Sequence, residues 1–131
     1  MEFLSVIVAA AASFVLGAVY YGALAKPWLE ASGVECDESG KPKGGQSPMI
    51  FAMAFALQLI VAGMMPHVFS LSGIETLGAG LIGGAGIGLF FISPWIMINN
   101  AYAGRPFKLT LIDGGYATFG CAVIGAVLTL F

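Results

Sequence analysis

Charged residues are scarce in this sequence of 131 residues. They make up 9% of the chain, whereas soluble domains carry roughly 25%. So few charges cannot cover a surface that faces water, and the 59% hydrophobic content indicates a chain whose solvent is mainly lipid. The 5 Lys and Arg residues are too few for a nucleic-acid footprint. One domain is expected at this length.

Cysteine and histidine are also rare, and their positions argue against a metal centre. Cys36 lies in a polar stretch and Cys121 in an apolar segment, so the two are expected at different depths and a disulfide is not predicted. His67 is the only histidine, so the chain has no bis-His haem site and no zinc ligand set. Without a Ser-His-Asp set or paired catalytic carboxylates, the sequence predicts no catalytic residues, no metal and no cofactor.

Four apolar segments are long enough to cross a bilayer as helices, which takes about 20 residues each. They are continuous rather than alternating in polarity, which argues against membrane β-strands. They cover residues of about 3–25, 48–69, 76–102 and 106–131, with a polar loop over about 26–47 whose start should form a short interfacial helix. The two later joins are short and make neighbouring helices antiparallel. The predicted fold is all-α, an integral membrane four-helix antiparallel bundle that forms one transmembrane domain over residues 1–131.

All basic residues fall on one side of the predicted membrane. Those in or beside the first join are Lys26, Lys41 and Lys43, and those that flank the third join are Arg105 and Lys108. The positive-inside rule assigns this side to the cytoplasm. Both termini are therefore expected on the outer side, which is the periplasm in a bacterial inner membrane.

A polar layer is predicted near the cytoplasmic ends of three helices. Asp113 lies seven residues after Pro106, taken as the first residue of the fourth helix, and so about 10 Å along its axis. The pairs Tyr20–Tyr21 and Asn99–Asn100 lie at the same height. Tyr20 and Asn99 share their helix faces with small residues, which mark close helix contact, so both are expected to point into the bundle.

Two interpretations of Asp113 remain open. In the first, Tyr20, Asn99, Asp113 and Tyr116 form a small polar site with Arg105 at its mouth, able to take up a proton or hold a cationic ligand. In the second, Asp113 is structural. It then ties the third join to the bundle by accepting hydrogen bonds from Tyr or Asn side chains, or by pairing with Arg105.

A glycine stripe in the third segment predicts close helix packing. Gly80, Gly84 and Gly88 stand four residues apart, which leaves a groove that another backbone can enter. The groove is interpreted either as an interface with a second copy or another membrane protein, or as a contact with the first helix around Ser13 and Gly17.

Two further residues interrupt the apolar segments. Gln58 is expected near the bilayer midplane, either as a hydrogen bond between helices or as a polar step on a substrate path. Pro94 is expected to kink the third helix, because it cannot donate a helical hydrogen bond.

Two motifs resemble a known family. They are NNAYAGRPFKLTLIDGGY, residues 99–116, and LGAVYYGALAKPWLEASG, residues 16–33. Both are similar to motifs of the DUF1761 family of small bacterial membrane proteins, although Ala23 stands where the family pattern leads one to expect proline. The resemblance implies a four-helix integral membrane protein of a bacterial inner membrane, and it implies no activity.

Three hypotheses for function follow. The first is a non-enzymatic accessory or scaffold subunit, surrounded by membrane lipids and associated through its small-residue faces with itself or another membrane protein. The second is a small, dimeric transporter or proton-coupled carrier that uses the polar layer around Asp113. The third is a membrane enzyme that acts on a lipid or a quinone.

Overall fold

The computed structural model describes residues 3–42 and 47–131, and its regular elements are helical. They are α1 (Phe3–Ala23), α2 (Ala25–Ser32), α3 (Pro48–Ser72), α4 (Leu77–Gly86), a π-helical segment (Ile87–Ile92), α5 (Ser93–Tyr102) and α6 (Phe107–Leu128). Four spans are long and apolar enough to cross a membrane: α1, α3, the continuous run Leu77–Tyr102, and α6. The predicted all-α membrane bundle is therefore confirmed.

The helix ends follow local capping chemistry. The side chain of Ser47 accepts a hydrogen bond from the backbone N–H of Ile50 and caps α3, whose first helical residue is a proline. The same helix continues to Ser72, three residues beyond the expected end, and stops at Gly73, which adopts the left-handed conformation with φ of 69°. Pro106 precedes α6 with an extended backbone, so the helix begins one residue later than the sequence predicts.

The last helix, α6, forms the centre of the bundle. It is the most buried span: 39% of the residues in its most apolar stretch are buried inside the protein, against 11% for α3. One of its sides packs against α1, and the other packs against α4, the π-helical segment and α5. Two spans, α1 and the run Leu77–Tyr102, thus pack along α6, which makes a smaller contact with α3 and supplies residues to most of the internal contacts.

The glycine stripe of α4 packs against α6. A Cβ atom built on Gly84 would overlap the carbonyl oxygen of Cys121, and one on Gly88 would overlap the carbonyl of Ala117. A Cβ atom on Gly80 would lie 2.6 Å from the carbonyl oxygen of Gly125. The groove therefore holds a helix of the same chain, but this helix is α6 rather than the expected α1. Ser13 and Gly17 of α1 instead face a second side of α6.

The α3 helix packs against the bundle over only half of its length. Its buried residues all lie in the second half, where Ala62, Met65 and Phe69 join Ala10 and Ile124 in the hydrophobic core. Its first half is mainly exposed, and within the described chain α3 makes no contact with α5. The bundle is closed at the end where residues 3 and 131 lie, here called the terminal end. It is open at the opposite end, here called the loop end, where α2 lies.

The third span is irregular just before its proline. The π-helical segment ends two residues before Pro94, where a kink is predicted. The backbone N–H of Ser93 bonds to the carbonyl of Gly88. The Ser93 hydroxyl shares its single proton between the same oxygen, at 2.7 Å, and the carbonyl oxygen of Gly114, at 3.1 Å. Ser93 therefore ties the π-helical segment to α6.

The loop after α2 contains a tight turn around Asp37. Its carboxylate accepts hydrogen bonds from the Ser39 hydroxyl at 2.5 Å and from the backbone N–H groups of Ser39 and Lys41. The bond from the Ser39 hydroxyl is the main cause that holds the pKa of this exposed carboxylate below its ordinary value. Lys43, one of the predicted cytoplasmic residues, lies outside the described residues.

Candidate functional site

Because the first half of α3 diverges from the bundle, a cleft of about 830 Å³ lies between α1, α3, α5 and α6. On α6 the lining residues recur at helical spacing and form one face: Asp113, Tyr116, Ala117, Gly120, Cys121 and Ile124. Trp28 of α2 lines the cleft at the loop end. The walls contributed by α3 and α5 are mainly apolar, as expected of a cavity beside lipid. The cleft is large enough for a small organic ligand.

A carboxylate and a tyrosine lie together at the loop end of the cleft. The Tyr21 hydroxyl donates a hydrogen bond to the Asp113 carboxylate at 2.8 Å. The Trp28 side chain also interacts with this carboxylate, and its ring lies 6.3 Å from the Tyr21 ring. Asp113 is half-buried and lines the cleft, so the prediction that it faces the interior agrees with its position.

Tyr20 is not the hydrogen-bond donor to Asp113, in contrast to the sequence-based expectation. Its hydroxyl donates to the carbonyl oxygen of Ile112 at 2.7 Å and lies against Gly115. Consecutive residues of a helix point about 100° apart, so only one of the two adjacent tyrosines can reach the carboxylate. The sequence places both at the correct height, and the rotation of α1 about its axis selects Tyr21.

A second polar group lies deeper in the cleft, around Tyr116. The Tyr116 hydroxyl donates to the backbone carbonyl of Ser13 at 2.7 Å and accepts a hydrogen bond from the Gln58 side-chain nitrogen at 2.7 Å. A Cβ atom on Gly17 would lie 2.7 Å from this hydroxyl, so glycine is needed for the ring to fit. Gln58 thus links α3 to α6 near mid-span, as the hydrogen-bond interpretation of this residue predicts.

Aromatic rings connect the two polar groups. The Tyr21 and Tyr116 rings meet edge to face with centroids 5.3 Å apart, and the Tyr20 ring lies 5.7 Å from the Tyr116 ring. Such edge-to-face pairs are favourable and hold the rings in defined orientations. The hydroxyls of Tyr21 and Tyr116 therefore occupy fixed positions on one wall of the cleft.

Asn99 and Arg105 lie away from this wall. Asn99 is exposed, whereas its neighbour Asn100 donates a hydrogen bond to the Thr110 hydroxyl on α6 at 3.1 Å. The expectation for Asn99 assumed uninterrupted α-helical spacing from Gly88. The π-helical segment adds one residue within that interval and turns the next residue inward.

Arg105 is exposed and forms no ion pair with Asp113. The nearby Lys108 approaches Glu30 of α2 at 3.9 Å, and both of these side chains are mostly exposed. Such surface pairs contribute little to stability. The structural interpretation of Asp113 as a partner of Arg105 is therefore wrong, while its tyrosine partner is Tyr21.

The described part of the cleft is lined by a single carboxylate among mainly apolar residues. Among the residues that the structure describes, no group of three or more His, Cys, Asp or Glu side chains could hold a metal ion. Asp113 is the one formally charged side chain among the described residues that line the cleft. A carboxylate at one end of a mainly apolar cleft complements an amphipathic molecule with a positively charged head.

Comparison with known proteins gives a family but no activity. The sequence matches the family described as "Protein of unknown function (DUF1761)" over residues 4–129, and the chain belongs to this family. No curated protein and no solved structure shows a significant match.

Proposed function

We propose that this member of the DUF1761 family is a membrane protein that binds an amphipathic small molecule with a cationic head in its cleft. The observation that carries the proposal is the position of Asp113, a carboxylate at the loop end of a mainly apolar cavity. A carboxylate without a counter-charge is costly beside hydrocarbon even when it accepts hydrogen bonds, and a positive partner offsets that cost. The hydrogen bond from Tyr21 fixes the carboxylate in place without neutralising its charge.

The ligand enters from the bilayer. The first half of α3 stands away from the bundle, so the cleft opens sideways between α3 and α5. A molecule dissolved in the lipid can reach Asp113 by this route with its head toward the loop end and its tail beside apolar residues such as Phe51 and Ile96. The same site serves the carrier hypothesis. Transport would additionally require the core around Met65 and Ile124 to open.

The accessory-subunit hypothesis loses one of its supports. One interpretation of the glycine stripe was a surface for a partner, and α6 occupies that surface. Association with a second copy or with another membrane protein stays a prediction that requires a different face. A non-enzymatic role and the enzyme alternative likewise stay predictions.

For localisation we propose the bacterial inner membrane, with both termini on the outer side. The described basic residues support this orientation, because Lys26, Lys41, Arg105 and Lys108 all lie at or beyond helix ends of the loop end. Lys and Arg are retained on the cytoplasmic side of membrane proteins. Labelling of terminal tags from each side of the membrane tests the orientation.

Three amphiphiles with the same chain and different heads test the binding site. Octylamine, octanol and octanoate are each added to the protein in a mild nonionic detergent at neutral pH, where the amine carries a positive charge. Octylamine should raise Tm and bind at least about tenfold more tightly than octanol, since hydrogen bonds to charged groups contribute about 1.5–3 kcal/mol. Octanoate should bind most weakly.

Two variants, each of which removes one carboxylate, distinguish binding of the amine at Asp113 from a general attraction to negative charge. Asp113→Asn keeps an oxygen for Tyr21 but removes the charge, so the preference for octylamine should disappear. Glu30→Gln is the matched control, because Glu30 lies at the same end of the protein but outside the cleft lining. Equal binding of the three amphiphiles, or an equal loss in both variants, would contradict the proposal.

A further inference from the structure

Only one of the two polar ends of the Gln58 side chain has a hydrogen-bond partner among the described residues. Its nitrogen donates to the Tyr116 hydroxyl, while its oxygen is buried and has no hydrogen-bond partner among the described residues. A buried acceptor without a partner is unusual in a native structure and calls for an explanation. The Gln58 side chain lines the cleft near mid-span, so a small shift of the amide toward the cleft would let a bound ligand supply the partner.

The orientation of the amide is fixed by its neighbours. The Tyr116 hydroxyl has one proton, and it donates this proton to the backbone carbonyl of Ser13, which can only accept. The phenol oxygen must therefore accept from Gln58, which requires the amide nitrogen to face Tyr116. The Gln58 carbonyl oxygen is then the atom left over. Its orientation follows from this chain of hydrogen bonds and not from an arbitrary assignment of the amide.

We propose that Gln58 selects a ligand that carries a hydrogen-bond donor, such as a hydroxyl group, on its apolar part. The inference rests on the proposed function, because it concerns the same ligand whose cationic head binds Asp113. The carbonyl of Gln58 accepts the donor, and an ether or ketone at the same place leaves both oxygens unsatisfied. In this scheme Tyr116 is a positioning residue, since it sets the direction of the amide.

One small molecule can reach both polar groups. The Tyr21 hydroxyl binds Asp113, the Tyr116 hydroxyl binds Gln58, and the two rings are in contact with centroids 5.3 Å apart. Tyr116 follows Asp113 by three residues, which places it about 4.5 Å deeper along α6. The head and the donor of the ligand are therefore separated by a short aliphatic or ring segment.

A series of amino alcohols tests the selection in the unmodified protein. Each compound carries an amine at one end and a hydroxyl at the other, with about four to about ten carbons between them. Each is compared with its own methyl ether, which has the same head but cannot donate. At the fitting length, the alcohol should bind about tenfold more tightly than the ether. Lengths that do not fit should show no difference.

Two variants locate the selecting group. Gln58→Met removes the acceptor at similar volume, and it should bring the alcohol down to the affinity of the ether. Tyr116→Phe frees the amide to turn its nitrogen toward the ligand, so the affinity for the ether should rise about tenfold and the preference should vanish. A purely structural role of Tyr116 would weaken both compounds equally. The exposed Leu57, changed to Met, is the control on the same helix.

The outcomes distinguish this inference from the proposed function. If every alcohol binds like its ether while the amines still require Asp113, the selection by Gln58 is wrong and the binding site stands. If none of the amines binds, the proposed function itself fails. A preference for the alcohol that persists in Gln58→Met would also overturn the role assigned to Gln58.

Discussion

Replacing Gly84 with alanine adds a methyl group where α4 meets the backbone of α6. The new Cβ atom would overlap the carbonyl oxygen of Cys121 and would lie 2.8 Å from its carbonyl carbon, whereas ordinary contacts begin at 3.4 Å. These neighbours are backbone atoms of a helix, so no side chain can rotate away. The two helices must separate by at least about 0.6 Å, the difference between these two distances.

The cost follows from this separation. Overpacking of a close contact costs about 1–3 kcal/mol, and the absence of a movable side chain places Gly84→Ala near the upper end. Alanine also gains up to about 1 kcal/mol over glycine in helix propensity. Gly86→Ala gains the same propensity, and a Cβ atom there meets nothing within 4 Å. The difference between the two variants should therefore be about 2–3 kcal/mol.

The assay compares the two variants in the same detergent. Each is heated, and the fraction that remains monodisperse by size-exclusion chromatography gives an apparent Tm. A chain of this length lies between the size classes for which 1 kcal/mol shifts Tm by more and by less than about 4 °C, so Gly84→Ala should unfold about 8–12 °C below Gly86→Ala. Equal Tm values would refute the backbone contact between α4 and α6. A change of oligomer size without loss of Tm would instead assign the glycine stripe to an interface between copies.

Two other predictions concern the π-helical segment and the orientation. Ser93→Ala removes the hydroxyl that bonds to the carbonyls of Gly88 and Gly114. This change should reduce the free energy of unfolding by about 1 kcal/mol and lower Tm by a few degrees. The control is Ser72→Ala at the exposed end of α3, which should leave Tm unchanged. An unchanged Tm in Ser93→Ala would show that these bonds contribute no stability. Tags at both termini should react with a membrane-impermeant reagent added from the outer side of the cell, and labelling from the cytoplasmic side alone would reverse the proposed orientation.

The medium and the number of spans follow from the sequence by itself. A chain that is 9% charged and carries four long apolar runs can satisfy its backbone in lipid only as helices. The depth of each polar residue is equally local, because it depends on the distance along a helix of known rise. This is why Asp113 and the tyrosine pair were expected at one height, and why Gln58 was expected as a link between helices.

Rotation about each helix axis is decided only by the tertiary structure. Adjacent residues differ by about 100°, and nearly all faces of these helices are apolar, so hydrophobicity alone does not tell which side faces inward. Packing on α6 selected Tyr21 over Tyr20. The residue added by the π-helical segment selected Asn100 over Asn99. The tertiary structure also decides which helix packs against the glycine stripe, since several helices present small-residue faces.

The cleft itself has no local signal in the sequence. It exists because α3 packs on the bundle through its second half and diverges over its first half, which depends on contacts between residues far apart in the chain. The direction of the Gln58 amide depends in turn on Tyr116 and Ser13, which lie on two other helices. Composition and helical rise determine which residues lie at which depth in the bilayer. Only the assembled bundle decides which of them face one another, because that choice is made by steric fit between helices.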